Sequence, residues 1–161
     1  MLARHAALAL GFSGFLAGCV VSPGASVTAS SGSIYRAFNS MRVVPVADRA
    51  ESFVVLSQAL AGPADHWCAA GDYAQRRLGA RATDRVYIVE GSAPTRAATG
   101  RRGVTFTTAP GPDLAGGRRP GEGGSVSLSL SEPGFNLSRA MAWGYCTDSR
   151  RRLTGAGGRR F

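Results

Sequence analysis

Ala64-Asp65-His66-Trp67-Cys68-Ala69-Ala70-Gly71-Asp72-Tyr73-Ala74-Gln75-Arg76-Arg77-Leu78-Gly79 occupies the middle of the chain. Its spacing predicts a helix over residues 64–78. Asp65 stands where an N-cap belongs, and Gly79 where a glycine just past the last turn belongs. Trp67, Gly71, Ala74 and Leu78 recur at helical spacing as a narrow apolar stripe. Asp72 and Arg76 stand four apart with the acid first, the favourable order on a helix. A helix with one apolar stripe has to bury it against another layer, so the flanks must supply that layer.

The flanks read as strands. On the N-terminal side, residues 41–46 (Met-Arg-Val-Val-Pro-Val) form a strand candidate. Pro45 cannot donate to a ladder and points to an edge or a strand end. Phe53-Val54-Val55-Leu56 is a second strand, with Ala47-Asp48-Arg49-Ala50 as the hairpin turn between them. On the C-terminal side, Arg85-Val86-Tyr87-Ile88-Val89 and Val104-Thr105-Phe106-Thr107 are strands. Residues 125–130 alternate Ser-Val-Ser-Leu-Ser-Leu, the clearest half-buried strand pattern in the chain. Residues 137–145 suit a short helix after Asn136. The expected fold class is therefore α+β: a small antiparallel sheet of about five strands with one main helix and a short C-terminal helix.

Two stretches resist assignment. Residues 110–124 hold six glycines and three prolines, the composition of a mobile loop. Residues 149–161 carry five arginines and almost no apolar side chains, the composition of a disordered basic tail. The single domain then spans residues 34–148, which suits a chain of 161 residues.

The start of the chain is an address. Met1-Leu2-Ala3-Arg4-His5 is short and positive, residues 6–15 are largely apolar, and Leu16-Ala17-Gly18-Cys19 follows. That order is a secretory signal peptide over residues 1–18, and its apolar run is too short to span a bilayer. Leu16-Ala17-Gly18-Cys19 resembles the lipobox of bacterial lipoproteins. The resemblance implies cleavage before Cys19, a diacylglycerol thioether on its sulfur and an acylated new amino terminus. Each acyl chain contributes about 0.8 kcal/mol per buried CH₂, so two or three chains anchor stably. Val20, where an Asp would favour inner-membrane retention, leans the expected location towards the outer membrane, facing the periplasm. From Cys19 the chain runs through Ser- and Gly-rich residues to 33, a flexible tether reaching roughly 20 Å on average.

Beyond Cys19 the cysteines are Cys68 and Cys146. An even pair in an oxidising compartment suggests a disulfide. The alternatives are two buried thiols or a reactive one. His66 and Cys68, two apart on a helix, point away from each other and make a poor nucleophile–base pair. Asp65, His66 and Asp72 offer one imidazole and no free thiol, a thin ligand supply, so neither a metal nor another cofactor is expected. Residues from 43 to 146, including Trp67-Cys68-Ala69-Ala70-Gly71-Asp72-Tyr73-Ala74, Arg85-Val86-Tyr87-Ile88 and Gly100-Arg101-Arg102, resemble a group of small envelope proteins of unknown activity. The resemblance implies the domain limits and the cysteine pair, and it implies no activity.

Charge closes the reading. The 19 basic residues are all arginine, against 10 acids, for a net charge of +9. The lack of lysine excludes amine chemistry such as a Schiff base or a P-loop. Arg101-Arg102 and Arg150-Arg151-Arg152 are the candidates for contact with an anionic partner: lipopolysaccharide, acidic lipid or acidic protein. The sheet face around Arg85 and Tyr87 is a further candidate. The competing reading is compositional, with the charges serving solubility. A lipid-anchored periplasmic domain does not meet nucleic acid. The expected role is structural or partner-binding without catalysis. A module for an anionic envelope component is the alternative, and an enzyme built on carboxylates a third.

Overall fold

The computed structural model describes residues 33–122 and 127–153, with the helical course alone for 149–153. Its central helix, α1 (Pro63–Leu78), starts one residue ahead of the expected point. Pro63 at the first helical position has its ring preset for the turn and no N–H to orphan. The N-cap is therefore Gly62, and Asp65 lies three residues inside the helix, where its carboxylate accepts the Gly62 N–H at 2.8 Å. Gly79 closes the other end in the left-handed region at φ 69°.

Six antiparallel strands form one sheet: β1 (Tyr35–Arg36), β2 (Arg42–Val46), β3 (Arg49–Leu56), β4 (Arg85–Pro94), β5 (Arg102–Thr107) and β6 (Asn136–Ser138). Their spatial order is β1-β2-β3-β5-β4-β6. The fold is α+β, as the sequence suggests, with corrections at the level of elements. The turn between β2 and β3 is Ala47-Asp48 alone; Arg49 and Ala50 already belong to β3. Pro45 sits where the β2–β3 register slips, next to the part of β2 that β1 does not reach, so its missing donor is not needed.

Residues 127–130 belong to no strand. The sheet edge beside β4 is taken by β6, through Val86 opposite Leu137. The Ser129 carbonyl instead accepts the Trp67 indole N–H at 3.1 Å, and Leu128 and Leu130 rest half-buried on the core. Alternation recorded burial there, not ladder bonding.

Residues 110–122 carry structure of their own. They include a short helix, α2 (Pro112–Ala115), and the Arg118–Glu132 ion pair at 2.6 Å. The last helix, α3 (Arg139–Leu153), is longer than expected, and residues 149–153 of the expected tail are its final turn. Residues 123–126, 154–161 and 1–32, with Cys19 and the tether, lie outside the described residues.

Both long helices cover one face of the sheet. Val43, Phe53, Val55, Val86, Ile88, Val104 and Phe106 point into that layer and are buried. Trp67 meets Phe106 edge-on at 5.0 Å and Phe135 at 5.9 Å, and Phe53 meets Tyr73 at 4.5 Å. Each such side chain contributes about 1.5–3 kcal/mol by leaving water. Helix α3 runs antiparallel to α1. Gln75 accepts from Arg139, Gly71 abuts Ala142, and Cys68 is bridged to Cys146. Gly71 makes this approach possible, since a Cβ there would stand 2.5 Å from the Trp143 nitrogen. On the opposite face, Val44, Val54 and Leu56 are covered by Ala97 and Ala98 of a 3-10 turn, Arg96–Ala98, that folds back between β4 and β5.

Candidate binding surface

Strand register gathers the arginines that sequence scatters. At the end of the sheet where β3 leaves for α1, Arg36 is the direct cross-strand partner of Arg42. Side chains alternate along a strand, so both project from the face opposite the helices. Like charges placed directly opposite destabilise a sheet. The same end receives Arg102, whose carbonyl accepts the Ser57 N–H at 2.9 Å, and the turn that carries Arg96 and Arg101. All five side chains are exposed. Among the described residues none of the five forms an ion pair; Arg102 donates to the Ser92 carbonyl at 2.5 Å.

Three loops build this end, and each holds one residue other than glycine in the left-handed region. These are Ser40 at φ 66°, Leu60 at φ 65° and Thr99 at φ 54°. Such a conformation costs a side-chain-bearing residue of order 1 kcal/mol or more, and it concentrates at functional sites. Leu60 shows 104% of its reference surface to solvent. The loops are joined, with the Gln58 amide donating to the Ser40 carbonyl at 3.4 Å. Helix α3, running opposite to α1, carries its C-terminal turn towards this end, so Arg150, Arg151 and Arg152 follow the chain in the direction of Arg101 and Arg102. Cations at a helix C-terminus also favour its dipole.

At the other end of the sheet, Arg81, Arg85 and Arg118 are spent on structure. Arg85 donates through Nε to Asn136 Oδ1 and through Nη2 to the Asn136 carbonyl at 3.1 Å. Burial, then the charge of Arg119, lowers the Arg85 pKa. Asn136 is itself buried and donates to the carbonyls of Gly117 and Gly134, both at 2.9 Å. Tyr87 is 9% exposed. Arg85 is thus engaged by Asn136, which in turn holds the Gly117 and Arg118 carbonyls. Arg81 caps Asp84, and the Arg81 backbone N–H with its side chain holds the Asp84 carboxyl below its usual range. Arg118 does the same for Glu132.

Two polar clusters accompany the core. Asp72, 1% exposed, accepts the Tyr35 hydroxyl at 2.6 Å, the Phe38 N–H at 3.0 Å and Arg76 Nε at 2.9 Å. Burial and then the Asp72 carboxylate push the Tyr35 phenol up to about 12. His66 is buried, and burial lowers its pKa. Its Nδ1 lies 3.0 Å from the Gly62 carbonyl, which can only accept, so Nδ1 carries the proton and Nε2 faces the Ser57 hydroxyl at 3.5 Å. The sequence reading missed Ser57, nine residues from His66 in a different element. Cys68 is in a disulfide with Cys146, so the thiol alternatives fall away. Among the described residues no three of His, Cys, Asp and Glu converge on a metal-sized site, and no helix is long and apolar enough to cross a membrane. No known protein family, curated protein or solved structure matches the chain.

Proposed function

We propose that the chain is a lipid-anchored protein of the bacterial envelope, facing the periplasm from the outer membrane, with a structural or partner-binding role and no catalysis. The carrying observation is the Cys68–Cys146 disulfide, which joins the only two cysteines left once Cys19 bears lipid. Such bridges belong to oxidising compartments. The signal segment ending in Leu16-Ala17-Gly18-Cys19 supports the same address. The unpaired arginines of the loop end favour, as the partner, an anionic component of the envelope.

Intact mass of the protein extracted from its own membrane tests this reading. The expected mass begins at Cys19 and includes two or three acyl chains, with Cys68 and Cys146 alkylated only after reduction. A lipid-free mass overturns the anchor. Thiols that react before reduction overturn the compartment argument.

A further inference from the structure

We propose that the loop end is a membrane-docking surface, in which Arg36, Arg42, Arg96, Arg101 and Arg102 engage the phosphates of anionic phospholipid headgroups and Leu60 enters the interface among them. The proposal rests on the lipid-anchored reading above and gives its partner a chemistry.

Two independent features carry it. The first is electrostatic. A direct Arg36–Arg42 cross-strand pair with no carboxylate of the described residues within ion-pairing distance is a cost to the fold. By register, the carboxylate on that sheet face is Glu90, opposite Thr105, and it forms no ion pair. Guanidinium forks fit phosphate oxygens in two bonds. Each arginine near an anionic bilayer adds about fivefold to the partition. The second is apolar. Leu60 is fully exposed on a left-handed backbone that leucine adopts only under constraint. A loop that releases this leucine to a less strained, buried position would be favoured by folding alone.

A lipid surface fits better than a protein. A protein partner of ordinary affinity needs about 800 Å² per side with an apolar centre. This end offers one protruding leucine and five exposed arginines at the same margin of the sheet, the pairing of apolar and cationic groups that an interfacial membrane contact uses. From Cys19, the fifteen residues to Ser33 would span roughly 20 Å on average and about 50 Å extended, enough for the domain to turn this end to the bilayer.

The test is flotation of the chain from Val20, which lacks the anchor and keeps every described strand, both long helices and the disulfide. The vesicles are phosphatidylcholine alone, or phosphatidylcholine with about one third phosphatidylglycerol. Binding is expected on the second only and should weaken as salt is raised. Arg36→Gln with Arg42→Gln, or Arg101→Gln with Arg102→Gln, should each cut the partition about 25-fold. Leu60→Ser should cut it about tenfold and leave the salt slope unchanged. Arg118→Gln, at the opposite end, should bind like the parent.

Every variant is first checked for a closed Cys68–Cys146 bridge and an unchanged circular dichroism spectrum. Equal partition onto both vesicles, parental binding by the double variants, or binding lost only when residues 154–161 are removed each overturns the proposal. So does tighter binding to soluble polyphosphate than to vesicles without dependence on Leu60. A protein that carries its anchor by mass but ignores anionic vesicles sinks the docking surface alone. One that lacks the anchor and still binds them sinks the anchored reading alone.

Discussion

Where β4 begins, Arg81 lies on Asp84, Arg85 grips Asn136 and Arg118 holds Glu132; where β3 ends, Arg36 faces Arg42 and the guanidiniums of Arg96 and Arg101 have no acid beside them. Both ends are rich in the same residue. At the first, arginine satisfies carbonyls and carboxylates that would otherwise be stranded, so its presence is explained by the fold. At the second, the Arg36–Arg42 pair adds repulsion and three residues adopt left-handed backbone, so at those positions the fold gains nothing. A charge that folding does not explain is the better guide to a partner than a charge count.

Removing the bridge between the two helices gives the largest expected effect on this contrast. Cys68→Ala with Cys146→Ala opens a 78-residue separation and should cost about 4 kcal/mol, read from urea unfolding. It should also loosen α3 from α1.

Next, Asn136→Ala strikes the structural end alone. It strands the carbonyls of Gly117 and Gly134 and the Arg85 guanidinium, and should cost about 2 kcal/mol. Vesicle binding should be unchanged in the fraction that remains folded.

His66 gives a pH signature at the loop end. Its folded pKa lies below 6.5, so the unfolded chain takes up a proton before the folded one does. The contribution of this group is complete above about pH 6.5 and is lost as pH falls below that towards the depressed value. The Asp84 and Glu132 carboxyls, held low, lose their share only at more acid pH. Urea midpoints measured across this window should fall for the parent and stay level for His66→Asn.

The smallest effect sharpens the comparison most. Arg36→Gln with Arg42→Gln should leave stability within about 0.5 kcal/mol of the parent, on the stabilising side, by relieving the like-charge pair. Arg118→Gln should move the midpoint the other way. A clear loss at Arg36 and Arg42 would mean that the loop end also spends its arginines on structure.

Much of this architecture is legible in the sequence. Helix α1, the four longer strands and the two cysteines follow from periodicity, end signals and compartment. What escapes has physical reasons. Strands β1 and β6 have two and three residues, shorter than any period can register. In the described part of the 125–130 pattern, Leu128 and Leu130 rest against the core, while the hydrogen bonds that would make a strand beside β4 go to β6. Arginine runs drew attention to Arg101-Arg102 and Arg150-Arg151-Arg152, but isolated Arg36 and Arg42 become a pair only through register. Leu60 gives no sequence signal, because its exposure and left-handed φ are properties of the loop.

The brevity of the outermost strands bears on how copies of the chain meet one another. A sheet grows by adding strands at a bare edge. Here one margin offers two residues of ladder and the other three, and the strand behind the first is interrupted at Pro45. At the β1 margin this leaves little continuous ladder for a neighbouring copy to pair with.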